Sequence, residues 1–187
     1  GVWVHNPHIA ILKRREVGVS HNPESNMKLA SGTAPLGKYL AAGVRLGLGT
    51  DGAASNNDLD MFEAMRQAGF LAKHASGDPT AVPAQVALDL ATIGGARVLS
   101  MEAAIGSLER SKKADLIVVS TSRARQTPLY DPVSHLVYVT RGDDVRTTIV
   151  NGKVLMKDGV VKKLDRASVI RDANALAQKV RAAVRAQ

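Results

Sequence analysis

The sequence contains no cysteine. Disulfide bonds, thiolate metal sites and a cysteine nucleophile are therefore excluded. The zinc deaminases that bind their metal through one histidine and two cysteines are excluded as well, because their Pro-Cys-x-x-Cys signature cannot exist here. Any metal site in this chain has to be built from histidine and carboxylate side chains.

Aromatic residues are scarce, at 3% of the chain. So few rings do not form a stacking platform for single-stranded nucleic acid, and no nucleic-acid-binding module is recognisable. The formal net charge of +8 is dispersed along the chain in short groups, such as residues 13–15 and 162–163. We therefore interpret the positive charge as solvated surface and expect no nucleic-acid partner.

Long hydrophobic runs are missing too. No stretch approaches the roughly 18 apolar residues that a membrane span requires, and the start of the chain lacks the charged and then apolar pattern of a secretory signal. The chain begins at Gly1, without methionine. The sequence predicts no membrane partner, and a cytoplasmic location is the default expectation.

Hydrophobic residues make up 45% of the 187 residues, enough for a core. This length suggests one domain, or one domain with a small second one. The most informative stretch covers residues 44–52, a short apolar strand that runs into Asp51. In a (β/α) barrel, the carboxyl ends of the strands carry the catalytic and metal-binding side chains. On spacing alone, a plain strand followed by an Asp-Gly turn remains the alternative.

The two faces of this strand differ in size. Alternation assigns Val44, Leu46 and Leu48 to one face, and Gly47, Gly49 and Asp51 to the other. A nearly empty glycine face fits a wall that something approaches closely.

Two motifs place the strand in context: VGVSHNPESNMKLASG at residues 17–32 and DGAASNN at residues 51–57. At this spacing they resemble the amidohydrolase superfamily, and within it the branch of the methylthioadenosine/S-adenosylhomocysteine deaminases and the chlorohydrolases. The resemblance implies an α/β fold, a (β/α)8 TIM-type barrel with a small β-sandwich. It also implies that the aspartate after the last barrel strand binds a catalytic zinc ion. Asp51 matches that position and is predicted to be both a metal ligand and a catalytic residue.

Four residues near the preceding strand are further candidates for contacting substrate or supporting the metal ligand: Ser20, His21, Ser25 and Asn26. Residues 17–20 read as a strand with Ser20 turned to the barrel axis, so alternation points His21 outward, among the helices. A structural His21, hydrogen-bonded to loop backbone, is therefore favoured over a catalytic one. For Ser25 and Asn26, loop bracing and substrate contact stay equally open.

The remaining histidines are explained without a metal. His5 and His8 are three residues apart, but no third ligand lies near them in sequence, so capping and exposure account for them better. His74 falls at a helix end, and His135 is assigned to packing.

The chain divides into three predicted segments. Residues 1–105 are expected to form β/α units of the barrel, residues 106–161 β-sandwich strands with an intervening helix, and residues 162–187 a C-terminal helix that packs on the barrel. The Asn-Gly pair at residues 151–152 predicts a hairpin, and residues 107–109 are expected to form a strand.

The helix after Asp51 is expected to be capped by Asn57 or Asp58 and to run to about His74. Its inner face is predicted from the helical spacing of Leu59, Phe62, Met65 and Gly69.

The zinc site implied by the resemblance is incomplete in this chain. A catalytic zinc takes three or more protein ligands, and the resemblance implies a His-x-His pair, two more histidines and a glutamate that are not found beside Asp51. We therefore expect the chain to be the C-terminal part of a metal-dependent hydrolase, cut just behind a histidine ligand. One divalent zinc ion is expected in the intact parent and weak or no binding in this chain alone.

The expected parent hydrolyses a C–N bond and deaminates an aminopurine nucleoside of the methylthioadenosine or S-adenosylhomocysteine type. A related chlorohydrolase or guanine-deaminase-like hydrolase stays open, and so does a non-catalytic piece that acts only as a scaffold. The expected partners are a small heterocyclic substrate and either further copies of the chain or the missing N-terminal part.

Overall fold

The computed structural model describes residues 1–185, in which helices surround a short parallel sheet and lead into an antiparallel one. The strands are β1 (Val19–His21), β2 (Leu46–Leu48), β3 (Leu116–Val119), β4 (Val145–Val150), β5 (Lys153–Lys157) and β6 (Val160–Val161). The α-helices are α1 (Asn6–Arg14), α2 (Pro23–Lys28), α3 (Leu36–Ala41), α4 (Met61–Ser76), α5 (Ala84–Asp89), α6 (Gly95–Val98), α7 (Pro132–Tyr138) and α8 (Arg166–Arg185). A π-helical segment, Leu90–Gly94, joins α5 to α6.

Strands β1 and β2 are parallel neighbours, with Ser20 paired to Gly47 and His21 to Leu48. Helices α2 and α3 lie between the two strands in the chain, and such a helical connection is what a parallel pair requires. The carboxyl ends of both strands therefore lie on the same side, as the sequence predicts.

The two faces of β2 meet different neighbours. Leu46 and Leu48 are buried in the main core with Leu36 and Tyr39, so the face with large side chains packs as expected. On the glycine face, a Cβ atom added to Gly47 would lie 2.8 Å from the Cα atom of Gly95. The close approach predicted for this face is thus made by the backbone at the junction of the π-helical segment and α6.

Helix α4 begins later than the sequence predicts. Its N-cap is Asp60, whose Oδ1 accepts a hydrogen bond from the Phe62 amide at 2.8 Å. The prediction of Asn57 or Asp58 as the cap is wrong, because Asp60 also accepts a bond from the Gly142 amide at 2.8 Å and so joins α4 to the second half of the chain. The inner face contains Phe62, Met65 and Gly69 as predicted, whereas Leu59 precedes the helix and is exposed.

The antiparallel sheet has the order β3-β4-β5-β6. The predicted hairpin at residues 151–152 joins β4 to β5, with positive φ angles of 49° at Asn151 and 74° at Gly152. The expected strand at residues 107–109 does not form. That segment is a turn in which the Ser107 hydroxyl donates to the Glu109 carboxylate, and Leu108 is exposed.

Helix α7 attaches this sheet to the first half of the chain. Asp131 caps it by accepting hydrogen bonds from the amides of Val133 and Ser134, at 2.9 and 3.4 Å. The helix packs against α4 and α5, and its Val137 is fully buried in the main core. The intervening helix predicted between the strands is therefore present, while the segment boundaries at residues 105 and 161 stay a prediction.

Helix α8 is capped by Asp165, whose Oδ1 accepts a hydrogen bond from the Ala167 amide at 3.0 Å. No residue of α8 is buried, so the prediction that this helix packs on the barrel is wrong for the described residues. The prediction for residues 186 and 187 lies outside them. Among residues 1–185, no helix combines the length and the apolar character needed to cross a membrane.

Candidate metal and catalytic site

Asp51 lies in the loop that follows β2, three residues beyond the end of the strand. Its φ angle is +60°, in the left-handed region that L-residues seldom adopt but aspartate tolerates better than most. The side chain is exposed. The backbone thus turns at Asp51, and the carboxylate lies beyond the carboxyl end of β2.

Two serine hydroxyls hold this carboxylate by the same oxygen. The Ser25 hydroxyl donates to Asp51 Oδ2 at 2.7 Å, and the Ser55 hydroxyl donates to it at 2.8 Å. The hydrogen bond from Ser25, then that from Ser55 and a contact with the Gly52 backbone, hold the pKa of Asp51 below its ordinary value. Asp51 is therefore ionised at neutral pH, and neither hydroxyl contacts its Oδ1.

Helix α2 supplies a second set of bonds to the same loop. Lys28 Nζ donates to the Ala54 carbonyl oxygen at 2.8 Å and also to Asn57 Oδ1. Asn56 Nδ2 donates to the Thr50 carbonyl oxygen at 2.9 Å, and it reaches Glu24 Oε2 at 3.4 Å. The loop that carries Asp51 is thus fastened to the helix that follows β1.

Glu24 is the carboxylate in these contacts between α2 and the Asp51 loop. It is half-buried, and its Oε1 atom has no hydrogen-bond partner within residues 1–185. Burial, together with the nearby carboxylates of Glu63, Asp58 and Asp60, raises the pKa of Glu24 to about 7. Glu24 therefore titrates near neutral pH, whereas Asp51 is ionised there.

His21 lies inside β1 and shares its buried face with Val19, so the outward orientation predicted from alternation is observed. Burial, and to a lesser extent the positive charge of the chain's amino terminus, lowers the pKa of His21 to about 4. Its Nδ1 has no hydrogen-bond partner in the described part of the chain. The expected bond to loop backbone is thus not made by this nitrogen, and His21 is a neutral core residue at pH 7.

Ser20, His21 and Asn26 line a small cavity of about 100 Å³ with Gly1 and Tyr39. Ser20 donates to Asn22 Oδ1 at 3.3 Å. Neither Ser25 nor Asp51 lines this cavity. Of the predicted site residues, the structure therefore brings Ser25 to Asp51 and places the other three around a separate opening.

The closely spaced histidines His5 and His8 do not form a metal site. The His5 amide donates to His8 Nδ1 at 3.2 Å, which caps α1. Over residues 1–185, no group of three or more histidine, aspartate or glutamate side chains is placed to hold a metal ion. Asp51 is available as one oxygen ligand, and the complete ligand set of a catalytic zinc is not present among these residues.

Sequence reasoning missed Ser55, Lys28 and Asn56, all of which fix the Asp51 loop. A signal for Ser55 exists, because a serine four residues after an aspartate in a tight turn can reach back to its carboxylate. The contacts of Lys28 with Ala54 and of Asn56 with Glu24 join helix α2 to the Asp51 loop, so only the fold reveals them.

Parallel β/α units whose strand ends present a braced carboxylate are the arrangement of (β/α)-barrel enzymes. The sequence model of the amidohydrolase family matches residues 1–155. This chain belongs to the amidohydrolase family.

Relatives of known activity extend the match. The chain is 51% identical over 179 residues to a 5'-deoxyadenosine deaminase from Methanosarcina acetivorans. This match covers 96% of this chain and 41% of the relative. It is 55% identical over 161 residues to a 5-methylthioadenosine/S-adenosylhomocysteine deaminase from Moorella thermoacetica, covering 86% of this chain and 38% of the relative. The chain thus spans about two fifths of the length of the relatives it matches.

A solved structure agrees with the fold. An adenosine deaminase from Xanthomonas campestris, crystallised with bound zinc, superposes with a TM-score of 0.94 at 39% identity, over 97% of this chain and 41% of that one. The β/α units described above therefore correspond to part of an amidohydrolase barrel.

Proposed function

We propose that this chain supplies the Asp51 strand end of a zinc-dependent amidohydrolase that deaminates an adenosine-type nucleoside. The observation that carries the proposal is the Asp51 carboxylate, ionised and fixed by two hydroxyls at the carboxyl end of β2. Identity of 51% and 55% to nucleoside deaminases supports the substrate class. One alternative function is that of a chlorohydrolase or a guanine-deaminase-like enzyme. The second alternative is a scaffold piece without activity.

Asp51 suits the role of a zinc ligand in its chemistry, since it offers an exposed anionic oxygen beside a loop held in one position. It fills only one coordination position, and further protein ligands are needed for a catalytic site. These would come from outside residues 1–185, because no suitable cluster is found within them. When bound, zinc supplies an activated water molecule at neutral pH.

The part of Asp51 in the reaction follows from its hydrogen bonds. Because Ser25 and Ser55 both donate to Oδ2, Oδ1 is the oxygen open to accept the proton of the attacking water. The water oxygen adds to the ring carbon that carries the amino group, and Asp51 passes the proton to the departing nitrogen. The C–N bond then breaks and ammonia leaves, and the second water proton moves from the new hydroxyl to the neighbouring ring nitrogen, so that a carbonyl replaces the amine.

Ser25 is proposed to position Asp51, since it contacts the carboxylate directly. For Ser20, His21 and Asn26 we propose a role in shaping the neighbouring cavity, with His21 structural. The alternative role for Ser20 and Asn26 is contact with the substrate through this cavity.

The test is the D51N variant of a complete deaminase that contains this chain. We expect the rate of ammonia release from 5'-deoxyadenosine or methylthioadenosine to fall about 1,000-fold, because the residue that moves the proton is lost. D58N is the matched control, since Asp58 lies in the same loop without contacting Asp51. Equal activity of D51N and D58N would contradict the proposal.

The proposed partners follow from the same arrangement. Strands β1 and β2 form a two-stranded sheet, so each has an unpaired edge within residues 1–185. Unpaired edges recruit further strands. We infer that these edges pair with further copies of the chain or with the remainder of the barrel.

A further inference from the structure

Helix α8 exposes a stripe of aliphatic side chains along its whole length. Leu176 is 63% exposed, Val180 54% and Val169 51%. The helix has 20 residues, and none of them is buried. Because helices in water are stabilised mainly by packing of an apolar face, an amphipathic helix of this kind needs a partner surface.

The spacing of the stripe is that of a two-helix seam. Its members follow one another at alternating intervals of four and three residues, the pattern in which side chains of one helix enter the gaps of another. They are Val169, Ala173, Leu176, Val180 and Ala183. Ile170, Ala177 and Val184 lie beside this row and widen the apolar face.

The stripe is complementary to itself when two copies run antiparallel. Val169 of each copy then faces Val180 of the other, and Ala173 faces Leu176. Pairing a small residue with a large one keeps the volume of successive layers similar, as close packing requires. The same stripe in parallel places Arg166 against its own copy, which is unfavourable.

The flanking charges favour the same arrangement. In this antiparallel register, Asp172 of one helix lies beside Lys179 of the other, and the two-fold symmetry makes this pair twice. Opposite charges at flanking positions set the orientation of paired helices. A parallel pair matches neither Asp172 nor Lys179 with an opposite charge.

We propose that α8 is a dimerisation helix that binds a second copy of this chain in an antiparallel pair. The proposal does not depend on the deaminase function. A 20-residue helix is about 30 Å long, and two such helices bury less area than a standard interface of about 1,600 Å². The expected dissociation constant is therefore in the micromolar range, on the order of 10 μM.

Sedimentation of the 187-residue chain over a range of concentrations tests the proposal. The D172K and K179E variants each turn two attractive pairs into two repulsive ones, so each should raise the dissociation constant about tenfold or more. The double variant D172K/K179E restores opposite charges and should return it to within about threefold of the original. R181E is the control, because it changes the net charge as much as K179E does but lies off the seam.

Disulfide cross-linking reports the orientation directly, because the chain has no cysteine of its own. A mixture of V169C and V180C chains should form mixed dimers, and each variant alone should cross-link poorly. A monomer at all concentrations would overturn the proposal, as would association that the single charge reversals leave unchanged. Efficient self-cross-linking of V169C would overturn it too, since that result means a parallel pair.

Discussion

Asp51 combines an uncommon backbone angle with two hydroxyl bonds on a single carboxylate oxygen. Ser25 comes from α2 and Ser55 from the Asp51 loop itself, so the carboxylate is held from two sides. Groups that orient a metal ligand in this way affect metal affinity strongly although they do not touch the metal. We therefore treat both serines as positioning residues.

Removing either hydroxyl should weaken zinc binding in a complete deaminase that contains this chain. S25A and S55A are each expected to lower zinc affinity about tenfold, because the carboxylate loses one of its two fixed contacts. Competition with a chelator measures this affinity independently of activity. S31A is the control, because the Ser31 hydroxyl makes no hydrogen bond to Asp51 within residues 1–185, and a zinc affinity of S25A/S55A equal to that of S31A would rule out the positioning role.

Glu24 should make the stability of the chain depend on pH in a particular direction. Its folded-state pKa of about 7 lies above the ordinary value of 4.5, so its contribution is fully present below pH 4.5 and is lost as the pH rises through 7. The E24Q variant resembles the protonated acid at every pH. Its stability relative to the natural chain should therefore increase from pH 4.5 to 7 and level off above.

Urea unfolding at several pH values measures this difference. E16Q is the control, since Glu16 is an exposed glutamate whose side chain is 73% accessible. A stability difference between E24Q and the natural chain that stays constant between pH 4.5 and 8 would contradict the prediction. It would show that folding does not raise the pKa of Glu24.

The sequence predicts Asp51 and Ser25 as site residues, and the structure places the two in contact, but sequence reasoning missed other residues that hold the Asp51 loop. Asp51 stands out because a strand runs directly into it, and His21 is correctly turned to the core by alternation along β1. Lys28 reaches the Asp51 loop, and Asn56 reaches Glu24, only after that loop has been brought against α2. Such contacts depend on the packing of α2 against β2's loop, which no local pattern encodes.

Strand β2 lies very close to the backbone of a neighbouring element. The backbone of Gly95 approaches Gly47 so closely that an added Cβ atom would lie 2.8 Å from the Gly95 Cα atom. Backbone atoms do not rotate away as a side chain does. The strand and the α6 junction are therefore coupled through two glycines.

The G47A variant should destabilise the chain by about 1–3 kcal/mol, the usual cost of forcing an extra methyl group into a packed site. G37A is the matched control, since a Cβ atom at Gly37 meets nothing within 4 Å and alanine favours a helix more than glycine does. Urea unfolding should thus show opposite signs for the two substitutions. Equal stability of G47A and G37A would mean that α6 is not packed on β2 as described.

Element boundaries were predicted well where a local signal decides them and poorly where tertiary contacts do. The Asn-Gly hairpin follows from turn chemistry and is observed. Helix α4 instead begins after Asp60, because this carboxylate also binds the Gly142 amide 82 residues further along the chain. A strand at residues 107–109 fails because bonds among Ser107, Glu109 and Lys112 close a turn there.

The whole molecule is one part of an amidohydrolase fold. It spans about two fifths of the length of its relatives, and its described residues hold one predicted zinc ligand without a cluster of three. The exposed stripe of α8 and the unpaired strand edges lie at its surface. We propose that both surfaces bind other protein, α8 a second copy of the chain and the strand edges further copies or the remainder of the barrel.

The zinc bound per chain is the most direct test of the central claim, that Asp51 is one ligand of a site completed elsewhere. Purified 187-residue chain, titrated with zinc and freed of loosely held metal, should retain far less than one zinc per chain and release no ammonia from an adenosine-type nucleoside. Retention of one zinc per chain by a monomer that releases ammonia would contradict the account, because residues 1–185 would then hold a complete site.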